Sequence, residues 1–170
     1  SALLLGDSLA NRVWVSDSAQ NRYWSNAVLN QANAALGWPW KYVSNAGVTN
    51  ERADQIAARA AAAIAAANPE WVLIPDGAFI NSVNAFGDAG TPDTTFAAIT
   101  ASLTTIFQAC VGRKVLWTTA QTNSLYLTSQ ARKVLWSRVN KWALQYVRNA
   151  GWIGVDTTSA ITDITTGLQQ

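Results

Sequence analysis

The chain has 170 residues, 49% of them hydrophobic and 13% charged, enough apolar mass for a sizeable buried core and too little charge for a disordered, solvated polypeptide. Its formal net charge is only +2, with both signs scattered along the chain. That leaves no electrostatic footprint for nucleic acid, and no apolar run reaches the roughly 18 residues of a membrane span. Histidine is absent and Cys110 is the single cysteine, so an internal disulfide, a His-ligated metal site and a complete Ser–His relay are all excluded within these residues. The chain opens almost directly on its first strand, without Met or a leader, as a processed or excised domain would.

Leu3-Leu4-Leu5 is a short apolar run closed by Gly6-Asp7-Ser8. It reads as a buried strand that leaves Ser8 just beyond its carboxyl end. Gly-Asp-Ser is also compatible with an ordinary turn; its place directly after the first strand is what makes Ser8 a candidate nucleophile. Asp17 or Ser18 then caps a helix running to about Leu36, with Gly37 as its stop. Lys41 to Ser44 predicts a second strand, followed by the loop Asn45 to Asn50. Thr49 or Asn50 caps the next helix, which carries Glu51 and Asp54 in its first turn and ends at Asn68-Pro69.

Trp71 to Ile74 predicts the third strand, stopped by Pro75-Asp76-Gly77. Ala78 to Pro92 reads as a long, glycine-containing loop of a kind that is commonly functional. A helix is expected from about Thr94 to Ala109, with Phe96, Ile99, Leu103, Ile106 and Phe107 on its apolar face. Lys114 to Thr118 predicts the fourth strand. Residues from about Thr128 to Asn149 predict the last helix, with Val134, Leu135, Val139, Trp142, Tyr146 and Val147 on its buried side and Gly151 as its stop. Trp152 to Val155 is a fifth strand, and Asp156 sits at its end.

This alternation predicts a single α/β domain over residues 1–170: a parallel sheet covered by helices on both faces and joined by right-handed crossovers. Of the nine tryptophans, Trp71, Trp117, Trp136, Trp142 and Trp152 fall on core-facing elements. Trp14, Trp38 and Trp40, in or near loops, suit either rim packing or a sugar-stacking surface. Arg12 and Arg22 are either solvated or placed to orient an anionic substrate. Cys110 is expected as a buried structural thiol.

In such a sheet the loops after the first three strands meet at one edge. Gly6-Asp7-Ser8-Leu9, Asn45-Ala46-Gly47 and Gly77 to Asn81 therefore converge. In these blocks and in element order the chain resembles the SGNH (GDSL-type) hydrolases, esterases and lipases on a three-layer α/β/α sandwich with a five-stranded parallel sheet of flavodoxin-like topology. The resemblance implies Ser8 as nucleophile, with its own backbone N–H in the oxyanion hole, and Gly47 as a second backbone donor. A serine at a strand end can present both its hydroxyl and main-chain donors to one substrate carbonyl.

The third block departs from the family's Gly-x-Asn-Asp. Gly77-Ala78-Phe79-Ile80-Asn81 puts Phe79 or Ile80, according to register, in the place of the oxyanion asparagine, and Asn81 reaches the site only if the loop bulges. The family's Asp-x-x-His is met by Asp156-Thr157-Thr158-Ser159, with serine in the place of histidine. Two readings follow. Either Asp156 is the acid of a crippled relay, or Asp156 merely closes the fifth strand. On the second, preferred reading, residues 159–170 begin an excursion, and the Asp-x-x-His segment and last helix lie beyond Gln170.

The implied function is that of a serine ester hydrolase working through an acyl-enzyme, with an O-acetylated carbohydrate as a substrate class. No metal or organic cofactor is implied. The partner is a small-molecule or glycan ester rather than nucleic acid or membrane, in an extracellular, cell-surface or phage-tail setting. A catalytically silent binding or structural module is the alternative, supported by the missing histidine and by Phe79 and Ile80. A flavodoxin-like flavin or nucleotide binder would need a phosphate cradle after the first strand, which Leu9-Ala10-Asn11-Arg12 does not supply.

Overall fold

A computed structural model of the chain describes residues 1–7, 10, 43–89, 91–120 and 127–158. The helix expected from Asp17 to Leu36 lies outside the described residues, as do Arg12, Arg22 and the loop tryptophans Trp14, Trp38 and Trp40. Five strands, β1 (Ala2–Gly6), β2 (Val43–Gly47), β3 (Trp71–Ile74), β4 (Lys114–Thr118) and β5 (Ile153–Val155), form one parallel sheet in the order β2-β1-β3-β4-β5. Four helices are described: α1 (Ala53–Ala67), α2 (Ile80–Phe86), α3 (Pro92–Ala109) and α4 (Gln130–Asn149). The expected α/β architecture is the one observed. The chain steps outward from β1 to β2 and then crosses back to β3, so the strand order switches at β1, and in open α/β sheets ligands bind in the crevice that such a switch opens.

Every residue of β1 is buried, as a parallel strand covered on both faces requires. Its alternation sorts the core. Leu3 and Leu5 join Val72, Ile74, Val115 and Trp117 under α1, α3 and α4, while Ala2 and Leu4 pack with Leu73 on the opposite face, flanked by half-buried Trp71 and Leu116. Helix α1 turns Ala53, Ile56, Ala60 and Ile64 inward, the i, i+3/i+4 spacing of an amphipathic helix. On α4, Leu135, Val139, Ala143 and Val147 are buried, whereas Val134 is 43% exposed and does not belong to the buried side expected of it. Cys110 is a free, buried thiol, and desolvation pushes its pKa up to about 12.

Three local expectations are corrected. First, β2 does not stop at Ser44 but continues to Gly47. Asn45, Ala46 and Gly47 are strand residues paired with Leu4, Leu5 and Gly6, because pairing with a buried neighbour outweighs the weak strand preference of Asn, Ala and Gly. Second, the following helix starts at Ala53 rather than being capped by Thr49 or Asn50. Gln55 Oε1 accepts from the Arg52 N–H at 3.0 Å and Ser82 Oγ from the Ala53 N–H at 2.9 Å, while Asn50 takes a left-handed turn conformation, φ 64°.

Third, Ala78 to Pro92 is not a continuous loop. Pro75–Ala78 forms a tight turn, α2 follows, and Thr91 caps α3 through its side chain on the Thr94 N–H. A seven-residue helix is too short to show a period. It forms because Ile80 and Val83 are buried with Phe79, so tertiary packing supplies the stability that its length does not.

Two measurements test this core. Trp117→Ala, at a fully buried position, is expected to cost about 3–5 kcal/mol in urea denaturation, against less than about 0.5 kcal/mol for Val111→Ala, which is 72% exposed. The raised Cys110 pKa means that the unfolded thiol ionises first. Its contribution is therefore full below the ordinary thiol range and is lost as pH climbs from about 9 toward 12. The stability gap between wild type and Cys110→Ala should narrow over that window, by up to about 1.4 kcal/mol per pH unit.

Candidate active site

The site is built on the carboxyl end of β1. Gly6 lies beside Gly47 in register, so neither strand carries a side chain over this edge. A Cβ on Gly6 would stand 3.1 Å from Ala10 Cβ, so the chain folds back closely over the strand end after the turn. Ser8 lies outside the described residues, as does Leu9, but the residues bracketing them, Asp7 and Ala10, are both buried. The Gly6 carbonyl accepts two hydrogen bonds, from the Val48 N–H at 3.1 Å and from Arg59 Nη2 at 3.0 Å.

From β2, Asn45 ties this edge together. Its Nδ2 donates to the Ala10 carbonyl at 3.0 Å and its Oδ1 accepts from the Gly47 N–H at 2.7 Å. The proposed second oxyanion donor is thus already engaged by an amide oxygen two residues earlier. Beyond it, the exposed Asn50 N–H meets no acceptor among the described residues.

From β3, the turn places Asp76, Gly77 and Ala78 at φ 54°, 70° and 60°. Two of these are non-glycine residues in a costly region of backbone space, which persists only where the surroundings over-determine it. Here the Asp76 N–H donates to Thr118 Oγ1 at 2.9 Å and Trp117 Nε1 to the Gly77 carbonyl at 3.4 Å. The turn drives Phe79 and Ile80 into the core; neither faces the site. Asn81 does reach the end of β1, from the first turn of α2 rather than from a bulged loop. Its Nδ2 donates to Asp7 Oδ2 at 3.1 Å and to the Glu51 carbonyl at 2.9 Å, which occupies both amide hydrogens.

Asp156 stands apart. It ends β5, the outer strand, with β3 and β4 between it and β1, about 14 Å away at ordinary strand spacing. Its Oδ1 accepts from the Thr158 N–H at 3.0 Å and the Thr158 hydroxyl at 2.5 Å, and from the Thr119 hydroxyl at 3.4 Å. That is the work of a residue closing a strand and capping the next turn. A cleft of about 440 Å³ opens between α1, α2 and α3, lined by Asp54, Ser82, Phe86 and Ile99 among others but not by Asp7, Gly47 or Asn81. At its rim a hydrogen bond from Arg52 holds the Asp54 carboxyl below the usual carboxylate range. Among the described residues no three His, Cys, Asp or Glu side chains are grouped to hold a metal ion, and no helix is long and apolar enough to cross a membrane.

Asn45, Glu51 and Arg59 were not indicated as site residues by the sequence pattern. The one available signal was Asn45, a side chain that hydrogen-bonds main chain locally, placed two residues before a glycine. Asn81→Ala should cost about 1–3 kcal/mol in urea denaturation by removing the amide that donates to the buried Asp7 carboxylate and to the Glu51 carbonyl. Asn81→Asp should cost more at neutral pH, with the excess shrinking on acidification as one of the two facing carboxyls takes up a proton.

Neither a protein-family model nor a curated protein sequence matches the chain. Solved structures do. The chain is similar to the lipase/acylhydrolase of Enterococcus faecalis, with TM-score 0.66 and 19% identity over 94% of this chain and 76% of that one. It is similar to an acetylxylan esterase of Geobacillus stearothermophilus, with TM-score 0.68 and 17% identity over 94% and 76%. It also matches a GDSL-like lipase of Bacteroides thetaiotaomicron, with TM-score 0.59 and 15% identity over 95% and 70%. These neighbours are ester hydrolases by name, and at such identities the likeness is one of fold: the chain has the fold of the SGNH (GDSL-type) hydrolases.

Proposed function

We propose that this chain carries the nucleophile and oxyanion side of a serine ester hydrolase, with Ser8 as the attacking residue. The observation that supports this reading best is the bare, braced strand end. Two glycines face each other at the edge of β1 and β2, so neither strand puts a side chain there, and the residues on either side of Ser8 and Leu9 are held by side chains from other elements, Asp7 by Asn81 and the Ala10 carbonyl by Asn45. On this reading the Ser8 hydroxyl adds to the acyl carbonyl, the alcohol leaves with a proton, and water then releases the acid from the acyl-enzyme. The negative oxygen of each tetrahedral intermediate is met by backbone donors.

The Ser8 N–H is the first donor proposed. Gly47 becomes the second by exchanging its bond to Asn45 for one to substrate. Asn81, with both amide hydrogens committed, holds Asp7. Asp156, capping its own turn, is structural. With no histidine in the 170 residues, the general base of this mechanism comes from polypeptide outside them. Deacetylation of carbohydrate is the substrate class proposed, supported by the acetylxylan esterase among the structural neighbours.

The test is hydrolysis of p-nitrophenyl acetate and acetate release from acetylated xylan by the complete protein. Ser8→Ala is expected to lower turnover by on the order of 10³-fold or more. Turnover unchanged in Ser8→Ala would remove the assignment. No turnover from wild type, with retention on a glycan column, would favour the silent binding module that the missing histidine suggests.

A further inference from the structure

We infer that Arg59 is a positioning residue for the strand end that leads to Ser8, acting through the Gly6 carbonyl and held to it by Glu51; this rests on the reading of Ser8 as the nucleophile. Arg59 lies on α1 and reaches across 53 positions of sequence to donate Nη2 to the Gly6 carbonyl at 3.0 Å. Its Nε donates to Glu51 Oε2 at 2.7 Å, and the ion pair closes to 2.5 Å with side chains only 25% and 16% exposed. The main-chain carbonyl of the same Glu51 accepts from Asn81, whose amide also holds Asp7.

The bonds therefore form a ring, Gly6–Arg59–Glu51–Asn81–Asp7, that begins and ends on the two consecutive residues before Ser8. The oxygen that Arg59 grips belongs to the Gly6–Asp7 peptide. Because a peptide unit is planar, fixing its oxygen fixes the direction in which Asp7 leads the chain onward. A guanidinium suits this task, since its rigid fork offers donors to a carboxylate and a carbonyl at once, which a lysine ammonium on a flexible stem does not. An ion pair serving only to join α1 to its own N-terminal turn would have no need of the Gly6 oxygen.

The experiment compares wild type, Arg59→Ala, Arg59→Gln and Glu51→Gln in p-nitrophenyl acetate kinetics and in hydrogen exchange of the peptide spanning residues 1–10. In Arg59→Ala, kcat is expected to fall about 10- to 100-fold through misplacement of the nucleophile, with KM within about threefold. Exchange in residues 4–10 should rise while that of α3 and α4 stays unchanged. Of the two Arg59 variants, Arg59→Gln is the more conservative and serves if Arg59→Ala does not fold; its amide is too short to reach the Gly6 carbonyl, so it should lose kcat in the same way. An unchanged kcat, or a loss that follows faster exchange across the whole chain, would overturn the inference. If wild type shows no turnover, the hydrolase reading fails by itself and exchange alone decides: faster exchange confined to residues 4–10 supports the clamp, and unchanged exchange refutes it.

Discussion

β1 is enclosed in four directions. β2 and β3 pair with its two edges, and apolar side chains on both of its faces are buried. The chain leaving Gly6 has one way out, past the carboxyl ends of the neighbouring strands. Everything polar at this end of the molecule follows from that confinement. A turn forced into a crowded rim brings buried main-chain groups and the buried Asp7 carboxylate with it, and each needs a partner. Those partners come from β2, α1 and α2, three elements separated in sequence and joined by their shared contact with the end of one strand.

The energetics of the rim differ in kind from those of the layers below it. The sheet and its helices are held by continuous apolar packing, which is non-directional and tolerates conservative change. The rim is held by a few directional bonds, several of them side chain to main chain, and by the strained turn at Asp76 to Ala78. Such an arrangement contributes little to overall stability per contact and much to where particular atoms stand. A site that must meet one carbonyl in one orientation needs the second property more than the first.

How much of this was legible in sequence varied with the length over which a pattern could repeat. The strands β1, β3 and β4 and the helices α3 and α4 announced themselves as apolar runs or 3.6-residue stripes, and strand–helix alternation carried the sheet type. α2 left no such signature, since Ile80 and Val83 are its only buried apolar residues and its formation depends on what lies beneath it. The end of β2 was hidden because Asn45-Ala46-Gly47 has the composition of a loop; only the neighbouring strand makes it extended. At the site, the glycine and serine blocks were visible as turn chemistry at a strand end. Asn81 was visible as a candidate, though by a route that sequence spacing did not suggest. Glu51 and Arg59 were invisible, because a guanidinium contacting a carbonyl 53 residues away leaves no local trace.

The turn after β3 restricts what position 79 can carry. The Phe79 ring fills the space over Gly77, so closely that a Cβ there would lie 2.6 Å from it. An asparagine placed at position 79 would bury an amide among apolar neighbours without a partner and empty the volume the ring now fills. Packing thus closes position 79 to polar chemistry, and the amide that this segment brings to the end of β1 is that of Asn81.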